Sequence, residues 1–444
     1  MTHRERGYIF ATMNFDQAIE YVTGALKFGI NPGLERAAKA CALLGNPQER
    51  YSVVQVTGTN GKTSSSRMIA AILKEEGLKV GLYTSPHLAC YTERIAVNGR
   101  SVSREDFAEA IASAKPALDV TSRHLGELTE FEILTVAALK YFALAGADAA
   151  VLEVGMGGRW DATSVVRPKV AVITNVDLEH TDRLGSTVSE IAWDKAHIIK
   201  GGSIAVGGDL SASALREVEA RCRKVGSKLL LLGRDFRVSD ALDRSTGSLI
   251  SVAGLFGTYR GLELNAIGGF QRVNAAIAVA ASEALAGGPL SESGVAKALS
   301  AVSCPGRMEI ISREPFVLVD GAHNPAGMRE LVSSLKAICG GRKPVFVVSV
   351  SSDKDIAGIL RELRGFAERL IFTENDSYRS ASVGELIANA GDSAFDAEPN
   401  MRRAIEKAIE SAKGDPVVIT GSLYAVGEAR GALSGILGGQ SLES

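Results

Sequence analysis

Gly61, Lys62 and Thr63 stand together where an apolar run gives way to an amphipathic one, in the segment Val56-Thr57-Gly58-Thr59-Asn60-Gly61-Lys62-Thr63. Val53 to Val56 reads as a buried strand, and Ser64 to Glu76 carries Met68, Ile69, Ile72 and Leu73 at helical spacing. A glycine-rich turn between them leaves backbone N–H groups free to cradle phosphate, and the helix N-terminus adds partial positive charge. Lys62 can reach terminal phosphates, and the Thr63 hydroxyl suits a Mg²⁺ ligand. The strict spacing G-x-x-x-x-G-K-[ST] fails at its first position, where Val56 stands. The competing reading is a tight strand-to-helix turn with an incidental lysine. Strand, helix and Gly-Lys-Thr in register favour nucleoside triphosphate binding.

Further polar groups collect where other strands should end. Glu153 follows the apolar run Ala149–Leu152 and precedes a glycine turn, where a carboxylate can hold Mg²⁺ near a triphosphate. The next strand runs into Thr174-Asn175-Val176-Asp177-Leu178-Glu179-His180, and a helix bearing Asp194, Lys195, His197 and Lys200 comes after it. Any one of these is as readily a cap or a surface residue. Their recurrence after successive strands points to chemistry.

The elements that must position these groups alternate. Residues 14 to 45 read as helices broken at Gly29-Ile30-Asn31-Pro32-Gly33, with Asn14 a candidate N-cap and residues 1–12 expected to be dispensable. Strands are expected at Lys79–Tyr83, Ala149–Glu153, Val170–Thr174 and Ser203–Val206, with helices over 103–114 and 130–145 between. This alternation predicts a parallel sheet covered on both faces. Residues 228 to 264, with Val, Leu, Ser and glycine turns, read as an antiparallel insert. A second series begins near Phe316, with strands at 316–320, 344–349, 369–373 and 416–420 and helices at 326–338 and 355–368. Val302 to Arg307 reads as a hinge. The expected fold is α/β, with a P-loop parallel-sheet domain over 1–302 carrying the insert and a Rossmann-like α/β domain over 303–444. Chemistry is expected in the cleft between them, at strand C-termini.

Composition narrows the classes. Hydrophobic residues make up 46% of the 444 and charged residues 23%, so the chain is globular and long enough for two or three domains. A formal net charge of −2 gives no general footprint for nucleic acid or an anionic membrane. The five cysteines are scattered and odd in number, which reads as free thiols in a reducing compartment. No apolar run approaches the ~18 residues of a membrane helix. A cytoplasmic protein is expected, and a monomer.

The phosphate-loop segment Thr57–Lys62 resembles that of the Mur ligase superfamily, and other segments narrow the likeness to the dihydrofolate synthase/folylpolyglutamate synthase family. These are Tyr83–Leu88, Glu93-Arg94-Ile95, Leu152–Gly158 with Asp161-Ala162-Thr163, Glu179-His180-Thr181, Lys195-Ala196, Gln271 with Asn274-Ala275, and Pro305-Gly306-Arg307. Asp320-Gly321-Ala322-His323-Asn324-Pro325, Asp353-Lys354-Asp355 and Thr420–Tyr424 extend it to the last strand. The resemblance implies an ATP-dependent amide ligase that adds L-glutamate to dihydropteroate, to reduced folates or to both, through an acyl phosphate. It implies that Thr59, Asn60, Gly61, Lys62 and Thr63 hold the phosphates and that Asn274 meets adenine. Arg307 and Asp320 would bring the C-terminal domain onto the γ-phosphate and ribose. Of two Mg²⁺ ions, Ser85 and Glu153 would serve one, and His180 with a modified Lys195 the other. Lysine as a cation would repel Mg²⁺ there, so carbamylation of Lys195 is expected. The competing reading is a surface lysine paired with Asp194 or Glu190.

The same resemblance implies a pterin site near Asn31, Pro32, Gly33, Thr129, Phe131, Glu132, Arg159 and Asp161, and glutamate recognition by His323 and Ser422. Glu130 and Trp160 depart from the family's common aromatic and leucine there, as do Thr63 from glycine and Ser164 from asparagine. Trp193 and Cys304 read as structural. Two other functions compete: a Mur-type ligase with another carboxylate acceptor, and a nucleotide-binding regulator that performs no ligation. Glu153, His180, Lys195 and Arg307 together speak against the regulator, which needs neither two metals nor a closing arginine.

Overall fold

The computed structural model describes residues 13–29, 31–244, 246–391 and 395–438. The expectation for residues 1–12 lies outside them. Two sheets organise the chain. The larger has eight strands: β1 (Ser52–Thr57), β2 (Val80–Tyr83), β3 (Ile95–Val97), β4 (Arg100–Ser101), β5 (Ala149–Glu153), β6 (Val170–Asn175), β7 (Ile204–Asp209) and β8 (Lys228–Leu231). Their spatial order is β4-β3-β2-β5-β1-β6-β7-β8, antiparallel only at β2/β3/β4. β1 and β5 are almost wholly buried on both faces, as a parallel sheet covered by helices requires.

Strand order decides where chemistry can gather. β2, β5, β1 and β6 are successive neighbours in register, Val54 beside both Val151 and Val170. The turns that follow them therefore emerge side by side, carrying Ser85, Glu153, the phosphate loop and His180 to one edge.

The antiparallel insert comprises β9 (Arg237–Arg244), β10 (Gly247–Ala253) and β11 (Thr258–Leu264). Ile250, Val252, Tyr259 and Leu262 bury against the helices Gly269–Ala286 and Glu292–Ala301. Residues 228–231, read with this insert in the sequence, instead pair with β7 as the parallel edge of the large sheet. Their Lys-Leu-Leu-Leu pattern suits either sheet, and only the pairing partner decides.

The second sheet contains β12 (Glu309–Arg313), β13 (Phe316–Asp320), β14 (Val345–Val348), β15 (Arg369–Phe372), β16 (Phe395–Ala397) and β17 (Val417–Thr420), ordered β12-β13-β17-β14-β15-β16. β13, β17 and β14 lie together at its centre, so Asp320, Ser422 and the 351–354 turn share an edge. β12, which the sequence did not reveal, pairs antiparallel with β13.

The helix expected over 103–114 runs instead from Arg104 to Leu125, through Pro116. An interior proline costs about 3 kcal/mol. Burial of Phe107, Ile111, Ala114, Ala117 and Leu118 along one face outweighs it. Asn14 caps the helix Phe15–Thr23 through Gln17 N, as expected. All five cysteines are free. Among the described residues, no helix is long and apolar enough to cross a membrane.

Candidate active site

The edges of the two sheets face each other across a cavity of about 810 Å³. Its N-terminal wall includes Thr59 to Thr63, Ser85, Glu153, His180 and Asn274, and its C-terminal wall includes Arg307, Asp320, His323 and Ser422. The structure thus brings together the expected nucleotide, metal and glutamate residues, apart from Lys195, which lies behind the phosphate loop.

The loop is held from outside. Asn175 Oδ1 accepts from Asn60 N at 2.8 Å, and the Thr59 hydroxyl bonds with Asp177. Gly61 adopts φ +81°, and a Cβ there would lie 2.5 Å from Asn274 Oδ1, so only glycine fits. Lys62 Nζ folds back onto the carbonyls of Gly58 (2.8 Å) and Thr59 (2.9 Å), aiming its charge into the loop. Asn274 stands against the loop, where its Oδ1 accepts from Ser65 at 3.3 Å.

Glu153 is buried and accepts from the Thr63 hydroxyl (2.8 Å) and Ser85 N (3.2 Å). Burial pushes its carboxyl up, while Lys62 and these donors oppose. His180 is held down to about 4 by burial and by the charges of Lys354, Lys62 and Lys195, so its imidazole is neutral at pH 7. Glu179 is pushed up by burial, but Lys62 and a 3.1 Å contact with His323 Nε2 hold it well below the usual carboxylate range.

Lys195 is not a surface lysine. It is 2% exposed, with Nζ donating to Gly58 O at 2.9 Å. Burial and the nearby Lys62 bring its amine down to about 7.

On the opposite wall, Asp320 accepts from Met308 N and Ala322 N, both at 2.8 Å; burial pushes its carboxyl up and Arg307 opposes. Ser422 caps the helix Leu423–Ile436 by accepting from Tyr424 N.

A Mg²⁺ ion fits one part of this site. Glu153 with the Thr63 and Ser85 hydroxyls offers hard oxygen donors beside the phosphate loop, the set that Mg²⁺ completes with substrate phosphate and water. Among the described residues, no three His, Cys, Asp or Glu side chains form a metal cluster. A second ion beside His180 would need a further donor, which the unmodified Lys195 amine would not supply.

The expected pterin residues sit apart from the cavity wall. Arg36 Nε lies 3.0 Å from Glu132 Oε1, its Nη2 donates to Asn31 O, and Glu132 Oε2 takes Thr129 N and hydroxyl in a capping box. These bonds tie Asn31, Thr129 and Glu132, with Pro32 and Gly33 following, to the first helices. Phe131 packs on Tyr83 at 5.9 Å, and buried Asp161 accepts from Gly155 N and Met156 N. Arg159 is stacked between Trp160 and Trp193, each nearly half exposed.

Sequence reasoning missed the Arg94–Glu130 ion pair (3.2 Å), which does line the cavity, and the cross-domain contacts of Glu179 and Asn60. The segment Glu93-Arg94-Ile95 was the available signal for the first. For the others there was none.

A phosphate loop on a parallel sheet, facing a second α/β sheet across the nucleotide cavity, defines a Mur ligase. The Mur ligase middle domain matches residues 56–282, and the Mur ligase glutamate ligase domain matches 306–423. The folylpolyglutamate synthase of Lacticaseibacillus casei is 34% identical over 97% of this chain and all of its own. The dihydrofolate synthase/folylpolyglutamate synthase of Bacillus subtilis is 33% identical, covering 94% and 98%. Among solved structures, Mycobacterium tuberculosis folylpolyglutamate synthase complexed with ADP superposes with a TM-score of 0.90 at 33% identity, covering 94% and 98%. Escherichia coli FolC in complex with DHPP and ADP gives 0.86 at 30%, covering 96% and 98%. The chain belongs to the dihydrofolate synthase/folylpolyglutamate synthase family, and is an ATP-dependent glutamate ligase.

Proposed function

We propose that this ligase takes dihydropteroate or a reduced folate as acceptor, activates its carboxylate with the γ-phosphoryl group of ATP, and joins L-glutamate through its amine. The observation that carries this reading is the single cavity shared by Lys62 and Glu153 on one wall and Arg307, Asp320 and His323 on the other. Supporting it, the E. coli relative was solved with DHPP and ADP together. We divide the chain at 302/303, with nucleotide and acceptor held mainly by the first part and glutamate by the second.

The residues act by positioning and by neutralising charge, with no protein nucleophile. Backbone N–H groups from Thr59 to Thr63 receive the phosphates, and Lys62 offsets the charge that grows on them during transfer. Asn274 borders adenine and Asp320 the ribose. Arg307 meets the γ-phosphoryl oxygens from the facing domain. Ser85, Thr63 and Glu153 would hold one Mg²⁺, and His180 with carbamylated Lys195 a second. Bound there, Mg²⁺ would polarise phosphoryl oxygens. His323 and Ser422 orient the incoming glutamate, and the facing walls exclude water from the acyl phosphate. The ligase would act on these small molecules as a cytoplasmic monomer.

The test is phosphate release with ATP, Mg²⁺ and glutamate, assayed separately against dihydropteroate and tetrahydrofolate, with products identified by mass. Glutamate-dependent release with either acceptor is expected. Release without an acceptor, and no product heavier by one glutamate, would remove the assignment.

A further inference from the structure

Two adjacent residues in the turn after β13 reach across to the N-terminal domain. His323 meets Glu179, and beside it Asn324 forms a reciprocal amide pair with Asn60. Asn324 Nδ2 donates to Asn60 Oδ1 at 3.2 Å, and Asn60 Nδ2 donates to Asn324 Oδ1 at 3.4 Å. Asn324 is 4% exposed and absent from the cavity wall, so it is not placed to touch substrate.

Each amide has a rigid support. Asn324 Oδ1 also accepts from Gly327 N at 2.7 Å, which caps the helix Pro325–Ile338 and fixes which way the amide faces. Asn60 is fixed through its backbone, its N–H donating to Asn175 Oδ1 and its carbonyl accepting from the Thr174 hydroxyl at 2.6 Å. The pair therefore joins the phosphate loop to the first turn of a C-terminal helix. No side chain in it carries charge, so phosphate charge does not compete for it.

We propose that Asn324 is a positioning residue, and that the Asn60–Asn324 pair registers the C-terminal domain on the phosphate loop so that Arg307 and His323 arrive in reacting geometry. This rests on the ligase reading above. Losing two neutral hydrogen bonds that set alignment should lower turnover about tenfold. It should leave nucleotide binding to the N-terminal wall unaltered.

Asn324→Ser separates the two tasks of this side chain. Serine still caps the helix but is too short to bridge to Asn60. The variant should fall about tenfold in kcat, with ADP affinity by calorimetry and melting temperature as in the wild type. Asn60→Ala combined with Asn324→Ser should lose no more than Asn60→Ala alone. A loss under threefold in Asn324→Ser, or single losses that multiply in the double variant, overturns the proposal.

Hydrogen exchange gives a second readout that needs no ligation. Without nucleotide, the first turn of Pro325–Ile338 should exchange faster in Asn324→Ser than in the wild type, because the pair already stands in the ligand-free protein; equal exchange in both also overturns it. Failure of the ligase reading looks different, because wild-type protein would then form no glutamylated product.

Discussion

The Thr63 hydroxyl donates to Glu153 Oε1 at 2.8 Å, joining the residue after the loop lysine to the carboxylate at the tip of β5. Val56 lies beside Glu153 in the parallel register, so the turns after β1 and β5 leave the sheet together. Glu153 is buried, and removing a donor from a buried carboxylate costs about 1–3 kcal/mol. Thr63→Val should therefore raise the Mg²⁺ concentration for half-maximal activity several-fold, and Thr63→Ser should restore it. A metal titration of activity checks this. An unchanged midpoint in Thr63→Val would detach Thr63 from the metal site.

Lys62 and Arg307 approach the cavity from opposite walls, and their alanine variants should differ accordingly. Lys62 sits within the phosphate loop, so Lys62→Ala should abolish ligation and weaken ADP binding while the fold survives. Arg307 belongs to the C-terminal wall, so Arg307→Ala should cut kcat far more than ADP affinity. Calorimetry beside steady-state rates separates them. Wild-type-like ligation by Lys62→Ala would sink the nucleotide assignment.

The parallel strands were legible because buried strands read as continuous apolar runs. Val53–Val56, Ala149–Glu153 and 316–320 stand within a residue of their observed bounds. What the sequence hid depends on partners distant along it. Glu179 and His323 are 144 residues apart, and Asn60 and Asn324 are 264 apart. Neither pair has a local periodicity that would announce it. The helix expected over 103–114 continues through Pro116 to Leu125, because burial of its face overrides the local rule against an interior proline. Glu132 entered the expected pterin site through the resemblance alone, and its bonds to Arg36, 96 residues away, and to Thr129 had no signal in the sequence.

His87 should make stability fall with acid. Arg94 Nε donates to its Nδ1 at 2.9 Å, and burial, with Arg94 adding, holds the imidazole down to about 4 from 6.5. The folded state resists protonation, so the stability this neutral ring contributes is whole above pH 6.5 and is lost as pH falls toward 4. Between pH 7 and pH 5 the wild type should lose about 2 kcal/mol more than His87→Phe, which keeps a ring against Tyr91 and cannot titrate. Urea midpoints at the two pH values measure the difference. Parallel losses in both proteins would refute it.

Lys195 should carry a carbamate. Its amine is buried, touches Gly58 O, and is brought to about 7 by burial and by Lys62, so much of it is uncharged at neutral pH. The uncharged nitrogen attacks the carbon of CO₂, forming an N–C bond as one C=O electron pair moves onto oxygen. The nitrogen then releases a proton to solvent. The product is an anion with two oxygens, the hard donors that Mg²⁺ prefers beside neutral His180. Formation is favoured as pH rises through 7, because protonated amine cannot react. Stripping CO₂ should depress activity, more at pH 6.5 than at pH 8, and bicarbonate should restore it. Lys195→Arg keeps a cation and forms no stable carbamate, so it should be nearly inactive while still binding ADP. Near-normal activity in that variant, indifference to CO₂, or a metal-bound structure with unmodified lysine would exclude the carbamate.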